Sequence, residues 1–132
     1  PLVVVRGKIV EKLLTHPVKR VEYDLLMADK LLHTSTQLLD KKSYAKAKET
    51  ALKGENYFSV LVSDYRAARE KGKPIPAALD TQIDDAHAAH QRLIAYLIDH
   101  APDDDRQTYT QVAYFAKTNF ETLTGLRQET SQ

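Results

Sequence analysis

Apolar residues recur three and four positions apart along four successive stretches of the chain. Between Pro17 and Lys41 the series is Val18, Val21, Leu25, Ala28, Leu32, Ser35 and Leu39. The next is Tyr44, Ala47, Ala51, Gly54, Phe58, Leu61, Tyr65 and Ala68. After Pro76 come Leu79, Ile83, Ala86, His90, Leu93, Leu97 and His100. The last is Tyr109, Val112, Ala116, Asn119, Leu123 and Leu126, flanked by Phe115 and Phe120. Alternating steps of three and four hold one stripe of an α-helix toward a partner helix and imply a slight left-handed supercoil.

The punctuation between stripes agrees with this. Pro17 suits a first helical turn, with Thr15 or His16 as cap, and Ser43 in "DKKSY" is placed to cap the second helix. Gly72 in "EKGKPIP" ends that helix, and "HAPDDDR" stops the third. Three aspartates then stand where a helix N-terminus favours negative charge. The helices are expected at about 17–41, 44–71, 77–100 and 104–128, each roughly 36–42 Å long. Four rods of similar length with short connections predict an all-α fold, an antiparallel four-helix bundle forming a single domain over 1–132.

Residues 1–16 stand apart as an N-terminal appendage. "LVVV" favours a strand, whereas Ile9, Val10, Leu13 and Leu14 suit one face of a short helix. An extended tip leading into a short helix across one end of the bundle is expected. The alternative is an exposed apolar arm that inserts into a neighbouring subunit.

Composition narrows the picture. Of 132 residues, 42% are apolar and 28% charged, an ordinary globular balance. No run of 18 apolar residues occurs, so no transmembrane segment is expected. Cysteine is absent, which removes disulfides, thiol nucleophiles and thiolate metal sites. The net charge of +1 is unevenly placed: residues 1–75 carry 15 Lys/Arg against 9 Asp/Glu, and residues 76–132 carry 4 against 9. Attraction between the two halves within the fold accounts for this more simply than a basic patch for a partner. Around Lys41, Lys42, Lys46, Lys48 and Lys53, acidic residues interrupt the basic ones and arginine is scarce, so no nucleic acid is expected as partner.

Two phrases, "KIVEKLLTHPVKRVEYDLLMADKLL" and "LLDKKSYAKAKETALKGENYF", carry a resemblance over about residues 5–62. With Thr15, Pro17, Lys19, Arg20, Ala28, Asp29, Lys30, Lys41, Tyr44 and Ala47 at matching positions, the chain resembles a family of exported bacterial and archaeal α-helical domains of unknown function. Leu31 departs from the pattern, which has arginine there. The resemblance implies an exported, extracellular or cell-envelope protein, the alternative being a cytoplasmic one. It brings no catalytic residues.

The sharpest chemical feature is "DDAHAAHQR", residues 84–92. Measured around the helix from Ile83, His90 falls about 20° and His87 about 40° away, and Asp84 about 100° away at the edge of the buried face. His87 and His90 are thus neighbours turned toward a partner helix. With Asp84, or a ligand such as Glu22, His33 or His100, they form a candidate site for a divalent transition metal, Zn²⁺, Cu²⁺ or Ni²⁺. The simpler reading is seam histidines hydrogen-bonded to neighbours. No Glu-x-x-His, HExxH, P-loop, G-x-G-x-x-G or G-x-S-x-G occurs, and no enzymatic activity or other cofactor is expected. Tyr44, Tyr65 and Tyr109 are expected as core aromatics, and Gly54 as a point of close helix approach. The leading expectation is a non-enzymatic interaction or structural domain. It would bind a protein partner or self-assemble through a helix face or the apolar arm; a His-x-x-His metal-binding bundle is the alternative.

Overall fold

The computed structural model describes residues 16–129. Its regular elements are four helices: α1 (Pro17–Asp40), α2 (Tyr44–Glu70), α3 (Ala77–His100) and α4 (Asp103–Glu129). Each boundary lies within one residue of the expected one. The appendage and its proposed arm lie outside the described residues, apart from His16, the residue before α1.

Short connections make consecutive helices antiparallel, and packing then sets their order around the bundle. α1 packs on α2 and α3, and α4 packs on the same two, so α1 lies diagonal to α4 and α2 diagonal to α3. The 71–76 connection therefore crosses the bundle end. All the expected stripe residues of α1 are buried except Val18, which packs against the core from its edge. Tyr65 and Tyr109 are fully buried, as the periodicity requires. Tyr44 is 38% exposed and His100 is exposed as well, contrary to their places on the stripes. They are the first residue of α2 and the last of α3, where the seam has run past the packed core.

Both hairpin-side helix ends close in the same way. Lys42 N–H donates to Leu39 O and Ser43 N–H to Leu38 O, each at 2.9 Å; Gly72 N–H donates to Arg69 O at 3.0 Å and Lys73 N–H to Ala68 O at 2.8 Å. This closure needs a left-handed residue. Gly72 supplies it at φ 69° without steric cost, whereas Lys42 adopts φ 64° despite its Cβ. The same turn fixes Ser43 at φ −86°, ψ 67°, and its hydroxyl makes no capping bond. The expectation of a Ser43 side-chain cap is corrected on that ground. His16 also starts its helix without a side-chain cap, and Pro17 occupies the first turn.

The tightest contact joins α1 and α2, whose backbones approach more closely than those of any other pair. Small buried residues make this possible: Ala28 and Ser35 on α1, and Ala47, Ala51, Gly54 and Ala68 on α2. The Ser35 hydroxyl is satisfied locally, donating to Leu32 O at 2.7 Å. A Cβ placed on Gly54 would lie 3.2 Å from Leu32 Cγ, 3.3 Å from Leu31 Cβ and 3.4 Å from Ala28 O. Alanine there gains helix preference of about 1 kcal/mol while nudging Leu32 aside. Gly54→Leu, which must separate the two helices, is expected to lower unfolding free energy by about 1–3 kcal/mol or more in a urea titration. A loss no larger than that of Gly54→Ala would show that the close approach is not required.

Candidate functional site

Two apolar clusters fill the bundle, one around Val21, Phe58, Leu61, Tyr65, Ile83 and Leu123, the other around Leu32, Leu39, Ile94, Leu97, Tyr109 and Val112. Between them lies a polar layer, with His90 only 3% exposed on the α1/α3 side and Glu55 only 6% exposed on the α2/α4 side. Burying such groups is tolerated only where hydrogen bonds replace water.

The histidine stretch begins this layer. His90 Nε2 lies 3.1 Å from Asp29 Oδ1, and His33 Nε2 approaches the same oxygen at 3.6 Å. Burial lowers the pKa of His90, with the Asp29 hydrogen bond opposing it, so the ring is neutral near pH 7. A carboxylate can only accept, so Nε2–H is the donor and Nδ1 carries the free lone pair. His87 points elsewhere, its ring stacked on Phe120 at 3.9 Å and 3°. Burial lowers its pKa too, with His90 adding to the effect. Asp84 accepts from Arg127 Nη1 at 2.6 Å. Arg127 also meets Asp80 at 2.9 Å, and Asp80 accepts from the Tyr65 hydroxyl at 2.8 Å. The three residues picked out by the sequence thus turn to three different partners. Among the described residues, no group of three or more His, Cys, Asp or Glu side chains is arranged to hold a metal ion.

The second half of the layer was not legible as a site. Asn119 Nδ2 donates to Glu55 Oε1 and to Ser59 Oγ, both at 2.8 Å. Among the described residues no cation pairs with Glu55. Burial pushes its carboxyl up to about 7, and the Asn119 hydrogen bond pulls the other way. Glu55 sits at the floor of a groove of about 240 Å³ between α2 and α4, lined by Leu52, Asn56, Ser59, Val112 and Phe115. Leu52 is 45% and Phe115 51% exposed. Tyr114, 63% exposed, stands edge-on to Phe115 at 6.0 Å. The signal in the sequence was Asn119, a polar residue on an apolar stripe that requires a buried partner.

A third polar group lies near the start of α1. Asp24 is 4% exposed, and its carboxyl is held well above the usual carboxylate range, first by burial and then by a hydrogen bond and charge repulsion from Asp64; Arg20 opposes the shift. Arg20 Nε lies 3.3 Å from Asp64 Oδ1. Asp24 is therefore the member of the carboxyl pair that holds its proton, while Asp64 faces the guanidinium. Tyr23 and Tyr57 stack edge-on beside it at 6.2 Å.

No family model matches the chain, and no characterised protein or solved structure is significantly similar to it.

The Asp24 proton has a consequence for stability. Unfolded, the carboxyl ionises near 3.8; folded, it keeps its proton to a much higher pH. Its contribution is complete below the unfolded value and is lost as pH rises toward the folded one. Asp24→Asn keeps a donor to Asp64 without the ionisation. It is expected to leave stability at pH 4 nearly unchanged and to raise it at pH 8 by about 1 kcal/mol or more. Thermal melts across this range check it. An equal effect at both ends would mean that Asp24 is ionised in the fold.

Proposed function

We propose that the chain is a non-enzymatic interaction domain of an exported or cell-surface protein, which receives an amphipathic helix of a partner protein along the α2/α4 groove. One observation carries the reading: the exposed Leu52 and Phe115 line the same groove, with exposed Tyr114 in contact with Phe115. Single exposed apolar residues are ordinary, but an aliphatic and an aromatic wall facing one another across a groove mark a binding surface. A partner helix meets such walls with apolar side chains spaced three or four apart. The buried Glu55 carboxyl on the floor favours a partner that brings positive charge. Export rests on the resemblance over residues 5–62. No described helix is long and apolar enough to cross a membrane.

Selection of helical peptides from a random library against the folded protein tests the docking face. Enriched peptides should share two apolar residues at helical spacing together with a lysine or arginine. Leu52→Glu and Phe115→Glu should each weaken them at least tenfold, about 1.4 kcal/mol, with unchanged melting temperatures. Peptides that bind these variants as well as the parent, or that chiefly shift amides of another face, would overturn the reading.

A further inference from the structure

Glu55 is anomalous in a way that the docking face alone does not explain. A carboxyl on a residue only 6% exposed ordinarily faces a cation or several donors, because an isolated buried charge is costly. Here the described residues supply one amide, Asn119, whose second bond goes to Ser59. The groove above is otherwise aliphatic and aromatic, from Leu52, Val112 and Phe115. The groove's volume of about 240 Å³ is ample for a slender alkyl chain.

We propose that this groove binds a primary ammonium group carried on a short aliphatic stem, with the Glu55 carboxylate as counter-ion. The stem lies between Leu52, Val112 and the Phe115 ring. Asn119 is a positioning residue: its amide holds one carboxylate oxygen of Glu55 and leaves the other for the ligand. A lysine fits this chemistry better than arginine, since a lone carboxylate oxygen gives the planar guanidinium fork no bidentate partner. The proposal rests on the docking reading only for the source of the ammonium, a lysine of the docked helix. A free alkylamine offers the same group.

The site should respond to pH. The other groove residues from α2 and α4 (Leu52, Asn56, Ser59, Val112 and Phe115) carry no titratable group, and no charged neighbour contributes to the Glu55 shift. Only the ionised carboxylate pairs with an ammonium. With its pKa at about 7, the ionised fraction, and hence apparent affinity, rises about tenfold from pH 6 to pH 8. The amine itself remains protonated throughout, with a pKa near ~10.4.

The test is an NMR titration of the full chain, labelled with ¹⁵N, using n-pentylamine as probe and pentan-1-ol as its neutral counterpart. Pentylamine is expected to shift the Asn119 side-chain amide and the backbone amides of Glu55, Ser59 and Phe115. Binding should be at least tenfold tighter than for the alcohol, with the stated rise between pH 6 and pH 8. Glu55→Gln, which can keep a hydrogen bond to Asn119, should abolish both the preference and the pH dependence; Phe115→Ala should weaken binding while keeping the pH dependence. Equal shifts from amine and alcohol, or amine binding untouched in a folded Glu55→Gln variant, would overturn the proposal. So would the absence of any shift up to about 50 mM, well above the millimolar range expected for so small a ligand. If the amine fails while the selected peptides still bind, the ammonium site falls and the docking face stands. If the amine binds and no peptide does, the docking face falls and a free amine is the ligand.

Discussion

The close approach of α1 and α2 at Gly54 sets the shape of everything around it. A Cβ at that position would crowd Leu31, Leu32 and the Ala28 carbonyl, so the two backbones are about as near as side chains allow. Small residues at Ala28, Ser35, Ala47 and Ala51 extend this contact. The remaining neighbours, α2 with α4, α1 with α3 and α3 with α4, meet less closely and are bridged by longer side chains. Glu55 with Asn119, Lys48 with Asp105 at 2.8 Å, and His90 with Asp29 span these wider gaps. Grooves open along these wider contacts.

The polar layer gives the bundle its register. Two apolar clusters of similar character stacked end to end would tolerate a sliding helix, since one leucine fills space much like another. Buried hydrogen bonds do not tolerate it: moving α4 by one turn would strip Glu55 of its amide, and moving α3 would strip His90 of its carboxylate. The uneven charge of the sequence contributes less. Lys48 with Asp105 joins the basic hairpin to the acidic one, whereas Arg127 pairs with Asp80 and Asp84 inside the acidic half, and Arg20 with Asp64 inside the basic half. Lys41, Lys42, Lys46 and Lys53 are exposed. Exposed charge of this kind adds little to stability in water.

Helix boundaries were legible because proline, glycine and the three-four spacing all pointed the same way, and the structure follows them to within a residue. Close packing at Gly54 was legible for a similar reason: a glycine in a helix interior is unfavourable unless something needs the space. Glu55 and Asp24 were not. Each lies on the flank of its stripe, Glu55 four residues after Ala51 and Asp24 three after Val21, yet an acidic residue in that place ordinarily reads as solvated. Their burial depends on what the facing helix presents, Asn119 in one case and Asp64 in the other, and periodicity within a single helix holds no information about that. The histidines were placed on the correct face, but the division of labour between them was not visible. Whether a ring stacks on Phe120 or bonds Asp29 is decided by residues some thirty and sixty positions away.

Glu55 and Asp24 depart from the rule that buried charges are paired, and they do so with different consequences. Asp24 resolves its burial internally, by keeping a proton that Asp64 accepts. Its proton therefore couples stability to pH. Glu55 is left at the balance point, its carboxyl at about 7, neither firmly neutral nor firmly charged, with a groove above it. A fold with no use for that position would bury an apolar residue or a glutamine there, and gain stability at neutral pH by doing so. Places where a sequence breaks its own local rules without compensation inside the molecule are the places where compensation from outside is expected. For a half-ionised carboxyl beneath aliphatic and aromatic walls, the compensating group is a cation with an apolar stem.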